Sequence, residues 1–186
     1  MSENEQIITR GSHPSRRDFI RTAATAAAAA AVTGTARKVV AQTPSANERL
    51  GFGVIGVGGR GHAHLGALDW LKKDGKANIE IVAVCDAYRP RLDKAAKAHG
   101  AKGYMDHREL LADPNVDVVC IATPDHIHGH QAMDAIQAGK DVYCEKPVTH
   151  WRQFELTKKL AAEVKKSDRV FLLGTQGMSD SAYHQM

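Results

Sequence analysis

The chain has 186 residues, 43% apolar and 25% charged, enough for one domain with a real core and at most a piece of another. Its formal net charge of +4 is unevenly placed: residues 1–41 hold six Lys/Arg against three Asp/Glu, and the remainder holds 19 against 18. The part with folding potential is therefore near neutral and has no basic stripe, which excludes a nucleic-acid-binding surface.

Residues 1–41 read as a targeting segment. Ser15-Arg16-Arg17-Asp18-Phe19-Ile20 sets paired arginines before an uncharged, mostly alanine stretch from Thr22 to Thr35. That stretch is too short and too weakly apolar for a membrane span, which needs ~20 predominantly apolar residues. Val39-Val40-Ala41 fits a cleavage site, with Ala41 the last residue removed. The paired arginines resemble the Tat export signal. The resemblance implies the Tat machinery as a partner and a periplasmic or otherwise exported location. It also implies transport of a protein already folded, often with its cofactor bound. Residues 42–49 read as a polar linker.

Beyond the linker, strand and helix patterns alternate. Leu50 to Val57 is an apolar run ending in glycines, the first strand, and Gly59 to Lys73 has helical spacing. Ile79 to Cys85 is rich in β-branched residues, the second strand, and Arg89 to His99 is a helix stopped by Gly100. Gly103-Tyr104-Met105 is a short third strand, and Arg108 to Ala112 a short helix ended near Pro114. Val116 to Thr123 is a nearly continuous apolar run, the pattern of a strand covered on both faces. His126 to Ala138 is a helix with Gly139 past its end; Asp141 to Cys144 is a fifth strand. Thr149 to Lys166 is a longer helix with Thr149 as N-cap, and Val170 to Leu173 a sixth strand. Strands alternating with helices imply an α/β fold, a doubly wound parallel sheet with right-handed crossovers. The domain is expected over 50–175.

Three cysteines, Cys85, Cys120 and Cys144, lie in or at the end of apolar runs. Their odd number and irregular spacing exclude a disulfide framework, and no C-x-x-C pair offers a zinc site. They read as inert core thiols.

Gly56-Val57-Gly58-Gly59-Arg60-Gly61 contains G-x-G-x-x-G between a strand and a helix. Gly56 lets the chain turn sharply, Gly58 lets the backbone approach a pyrophosphate, and Gly61 lets the helix pack close to the sheet. The helix N-terminus then offers free N–H groups to phosphates. Asp86, at the end of the second strand and 25 residues after Gly61, is placed to accept hydrogen bonds from the adenosine ribose. A carboxylate there repels a 2′-phosphate, so NAD is favoured over NADP, although Arg89 and Arg91 nearby weaken that preference. His126, His128 and His130 invite a metal reading, but no carboxylate or cysteine completes a ligand set and no metal is expected. His62 and His64 read as helix-face residues.

Further motifs carry a family resemblance. Ala122-Thr123-Pro124-Asp125-His126-Ile127-His128, the segment Ala138 to Pro147 with its Glu145-Lys146-Pro147, and Gly174-Thr175-Gln176 resemble signatures of the Gfo/Idh/MocA oxidoreductases. With the glycine turn and Asp86, the resemblance covers about residues 50–180. It implies an N-terminal Rossmann domain paired with a C-terminal α/β domain built on an open antiparallel sheet. It implies NAD(P)-dependent oxidation or reduction of sugars, cyclitols and similar polyols, and a homo-oligomeric full-length form. It makes Lys146 the catalytic residue, a buried lysine near nicotinamide and substrate whose lowered pKa lets it polarise or deprotonate a hydroxyl as hydride leaves. Pro147 is expected to follow a cis or otherwise constrained bond that aims Lys146. Glu145 is expected to pair with the lysine or hold the loop. Gly59, Arg60, Thr123, Pro124, His126, His128, Glu145, Pro147 and Gln176 join Gly56, Gly58, Gly61, Asp86 and Lys146 as expected cofactor contacts.

The Gly-Gly-Arg-Gly form of the turn resembles exported members that include an NAD-dependent glycosidase branch, in which the sugar is oxidised transiently. The family's catalytic histidine and substrate pocket belong to its second domain. Residues 176–186 are expected to be only the start of that domain, truncated. A non-catalytic nucleotide-binding fragment is therefore the alternative of a different class.

Overall fold

The computed structural model describes residues 49–175. The expected leader at 1–41, the linker as far as residue 48, Gln176 and the expected second-domain start at 176–186 lie outside the described residues.

Among the described residues, six strands alternate with five helices: β1 (Leu50–Ile55), α1 (Gly59–Lys73), β2 (Ile79–Cys85), α2 (Arg89–His99), β3 (Lys102–Tyr104), α3 (His107–Leu111), β4 (Val118–Ile121), α4 (Asp125–Gln137), β5 (Asp141–Glu145), α5 (Phe154–Lys166) and β6 (Phe171–Gly174). The sheet is parallel throughout, in the order β3-β2-β1-β4-β5-β6. The chain winds outward from β1 in one direction and then from β4 in the other. Such a reversal leaves a crevice beyond the carboxyl ends of β1 and β4, where ligands of open α/β sheets bind.

Both faces of the sheet are covered, which is why its strands read as apolar runs. On one face Val54, Val84 and Cys120 pack with Leu65 and Leu68 of α1 and Leu92 of α2. On the other, Ile55, Cys85, Ile121 and Cys144 pack with Leu110 of α3 and Ala132 of α4. Adjacent strand residues alternate between these layers, as a period of two requires. Helix ends follow local chemistry. The Asp106 side chain accepts a hydrogen bond from the Arg108 N–H at 2.9 Å and starts α3. Gly100 ends α2 in the left-handed conformation, φ 63°, which a side chain would strain. At one edge of the sheet β6 leaves Leu172 57% exposed.

Several boundaries differ from expectation by one or two residues, β1 ending at Ile55 where Val57 was expected, and two departures have a clear physical reason. The apolar run 116–123 is only partly strand: β4 is Val118–Ile121, because Ala122 and Thr123 already bend toward the crevice. The last helix starts at Phe154, and Thr149 is not its N-cap. The Thr149 hydroxyl is instead 2.6 Å from that of Thr157, and the His150 N–H donates to Gln153 Oε1 at 3.0 Å. These bonds hold residues 149–153 in a turn before the helix begins.

Burial pushes the Cys85, Cys120 and Cys144 thiols up to about 12, with neighbouring carboxylates adding to it. Since only the thiolate reacts, dithionitrobenzoate at pH 8 should titrate none of the three thiols in the native protein and all three in guanidinium. A rapidly reacting native thiol would contradict this packing.

Candidate functional site

The site grows from the ends of four parallel strands. β1 ends at Ile55, and Gly56 turns the chain with φ +84°, its N–H donating to the Cys85 carbonyl at 2.7 Å. Gly58 then stands at the N-cap of α1, which has no side-chain cap and no acidic residue in its first turn. The first N–H groups of α1 thus have no side chain to accept them, the state in which a helix end receives a phosphate. Gly61 is buried against the turn: a methyl there would be driven into the Gly56 carbonyl oxygen. Helix and turn approach too closely for any other residue at that position.

Asp86 is buried at the end of β2. Its Oδ2 accepts the Val57 N–H at 3.0 Å and lies 2.9 Å from Arg91 Nε. Its Oδ1 accepts the Tyr88 N–H at 2.9 Å and Arg91 Nη2 at 3.1 Å. Asp86 thereby ties the glycine turn to the start of α2, and Arg91 lies across it as a fork.

Two cavities open at the crevice and share Ala122 and Thr123. The larger, about 620 Å³, is bounded by Gly56, Gly58, Asp86, Arg91, Thr123 and Pro124, with Met105 to Arg108 opposite. The smaller, about 260 Å³, is bounded by Arg60, Thr123, Asp125, His128, Glu145 and Lys146. The structure thus brings most of the residues singled out in the sequence to one crevice. The Lys146–Pro147 bond is cis.

Lys146, His64 and His126 sit differently from expectation. Lys146 is exposed, not buried, because β5 ends at Glu145 and the chain leaves the sheet there. Glu145, only 4% exposed, pairs with α1: Arg60 Nε donates to its Oε1 at 2.7 Å, and His64 Nε2 lies 2.9 Å from the same oxygen. His64 is therefore an internal partner of the site, stacked edge-on against Tyr143 with ring centres 5.2 Å apart. Burial holds its pKa below the ordinary histidine value, although Glu145 pulls the other way. The signal for it was the i, i+4 spacing of Arg60 and His64, which puts both on one face of a helix.

His128 is 2% exposed, and both ring nitrogens face carbonyls: Nδ1 that of Pro147 at 2.8 Å, Nε2 that of Thr123 at 2.5 Å. It positions the ends of β4 and β5 relative to each other. His126 borders neither cavity; it is exposed, and its carbonyl accepts from Gln153 Nε2 at 2.8 Å. Among the described residues, no cluster of His, Cys, Asp and Glu could hold a metal ion. Gln131, which accepts the Thr123 hydroxyl at 2.6 Å, and Arg91 were not singled out in the sequence as site residues.

A glycine turn off the first strand, an uncapped helix behind it and a buried acid at the end of the next strand define a dinucleotide-binding Rossmann domain. The family model described as "Oxidoreductase family, NAD-binding Rossmann fold" matches residues 50–175, and the chain belongs to this Gfo/Idh/MocA family. A twin-arginine translocation signal sequence matches residues 13–33, and the chain is exported by that pathway. Inositol 2-dehydrogenase of Salmonella typhimurium is 32% identical over 139 residues, which cover 74% of this chain and 40% of that protein. The crystal structure of an NAD binding oxidoreductase from Klebsiella pneumoniae is 33% identical with a TM-score of 0.66, covering 74% of this chain and 37% of that one. The WlbA dehydrogenase from Bordetella pertussis, in complex with NADH and UDP-GlcNAcA, is 26% identical with a TM-score of 0.66, covering 74% of this chain and 41% of that one. The chain spans about 40% of the length of the curated relatives it matches.

Proposed function

We propose that the protein is an exported NAD-dependent oxidoreductase acting on a CH–OH group of a sugar, cyclitol or related polyol, with Lys146 as the catalytic residue. The observation that carries the reading is the juxtaposition of the uncapped α1 N-terminus with Lys146. Arg60 in the first turn of α1 and Lys146 border the same small cavity, which shares Ala122 and Thr123 with the larger one. Bound NAD supplies a hydride acceptor. Gly56, Gly58, Gly59 and Gly61 shape the pyrophosphate cradle, Asp86 fixes its register with β2, and Thr123 and Pro124 border the route to the nicotinamide end. Exposed at the mouth of the smaller cavity, Lys146 is placed to reach a substrate hydroxyl and, as the neutral amine, to take up its proton. The name of the Salmonella relative, an inositol dehydrogenase, supports the polyol class. The unusual arginine in the turn is accounted for by its bond to Glu145, so it does not require glycosidase chemistry. A homo-oligomer belongs to the same proposal, since it would cover the apolar β6 edge.

Incubated with NAD and free polyols, the protein carrying this domain should form NADH in proportion to substrate oxidised. Lys146→Ala should lower the rate by about 10²–10⁴-fold, the usual worth of a positioned acid or base. Sugar released from an aryl glycoside without net NADH would move the assignment to a glycosidase.

A further inference from the structure

Glu145 ends β5 and Tyr143 stands two residues before it, so both side chains rise from the same face of the sheet. α1 covers that face, and Tyr143 packs in the layer of Val54 and Leu65. Arg60 and His64 stand one helical turn apart on the side of α1 that meets them. Glu145 Oε1 lies 2.7 Å from Arg60 Nε and 2.9 Å from His64 Nε2. A carboxylate is thus carried inside the protein, at the wall of the smaller cavity.

Arg60, Asp125, Glu145 and Lys146 all border this cavity. Three of the four face water: the Arg60 and Asp125 side chains are 44% and 45% exposed, and Lys146 is exposed as well. Water screens an exposed charge more than a partly buried one, by about a factor of four in effective dielectric. The potential in the cavity is therefore set mainly by Glu145, and Arg60 cancels part of it. His64 cancels none near neutral pH, since burial holds it below the ordinary histidine value and so uncharged. The field of the carboxylate reaches beyond its own pair. After burial, Glu145 is what raises the Tyr143 phenol and the Cys120 and Cys144 thiols most.

The nicotinamide ring is a cation in NAD+ and becomes neutral when it takes up a hydride. We propose that Glu145 makes the site discriminate between the two: its buried carboxylate stabilises the cationic ring of NAD+ over the neutral ring of NADH, and Arg60, its exposed partner, limits the preference. The inference rests on the reading of the smaller cavity as the nicotinamide end of the crevice. It gives the arginine of the glycine turn a function of its own, a counter-charge that keeps the bias moderate. A site so charged takes up the oxidised cofactor readily and releases the reduced one.

Calorimetric titration of the 186-residue chain with NAD+, with NADH and with ADP-ribose, which lacks the nicotinamide ring, tests the proposal. Glu145→Gln should raise the ratio of the NAD+ to the NADH dissociation constant by about tenfold, the effect of one partly buried charge pair. ADP-ribose should bind that variant within about twofold of wild type. Arg60→Gln should lower the same ratio by about threefold, the smaller change expected of an exposed charge. The opposite signs separate a field effect from damage to the fold, and the Arg60 variant carries the test if Glu145→Gln does not fold. A ratio that neither substitution moves would overturn the inference and leave the cofactor reading intact. An equal loss of all three ligands in Glu145→Gln would overturn it too, since Glu145 would then serve only to hold the turn. Binding of none of the three to the wild-type chain would overturn the inference and the cofactor reading together.

Discussion

Gly56→Ala is expected to lower the melting temperature by roughly 10 °C and to abolish measurable NAD binding. Two costs add at this position. The backbone stands at φ +84°, where a side chain costs about 1–2 kcal/mol. The new Cβ would lie 2.7 Å from Thr123 Cγ2 and 2.9 Å from the Ala122 carbonyl oxygen, and overpacking of this kind costs about as much again. The combined ~3 kcal/mol is a large part of the ~5–15 kcal/mol that holds such a domain together. Binding suffers more than folding, because the chain can relieve both costs only by moving the turn away from the end of β4. That movement also carries the α1 N-terminus out of line with the crevice. Differential scanning calorimetry and NAD titration on the same sample read the two effects. A variant that melts early yet keeps NAD affinity would show that the turn does not form the phosphate cradle.

His128→Ala should cost about 2–4 kcal/mol, through a cavity in a buried position and the loss of the imidazole N–H to a backbone carbonyl. The same substitution should weaken NAD by about tenfold. The imidazole is the strut between the Thr123 and Pro147 carbonyls, and Thr123 and Lys146 border the same small cavity. Without the strut the two strand ends can drift apart. Denaturant unfolding gives the first number and calorimetry the second. Wild-type values in both would mean that His128 fills space and sets no geometry.

The course of the chain was largely readable from its sequence, because the signals involved are local. Gly100 and Gly139 marked helix ends, and both adopt positive φ. The β-branched run Ile79–Cys85 announced β2 and put Asp86 at its end. What escaped the sequence depends on how side chains meet once the elements have packed. Arg60 and Glu145 are separated by 85 residues, and nothing near either one says that they meet. Thr149 looked like a cap because hydroxyls favour that position; its bond to Thr157 takes the hydroxyl elsewhere. Lys146 was expected to be buried; β5 runs one residue past the expected Cys144, to Glu145, and still stops short of the lysine, which stands exposed where the chain leaves the sheet. Arg91 was noticed as a nearby charge, but its fork on Asp86 depends on the angle at which α2 leaves the sheet.

The three thiols have a consequence for the route this protein takes out of the cell. Cys85 pairs in register with Ile55, Cys120 with Val54 and Tyr143, and Cys144 with Ile121, so no two cysteines are lateral neighbours. Cys120 also packs in the opposite layer from Cys85 and Cys144. A passenger that crosses the membrane already folded reaches an oxidising space with its sulfur sealed, and no mispaired bridge can form there. Threaded across as an open strand, the same polypeptide would meet oxidants with all three thiols bare and could be trapped in bridges that the finished sheet cannot contain. Carried across already folded, this sheet would keep its cysteines out of reach of that chemistry.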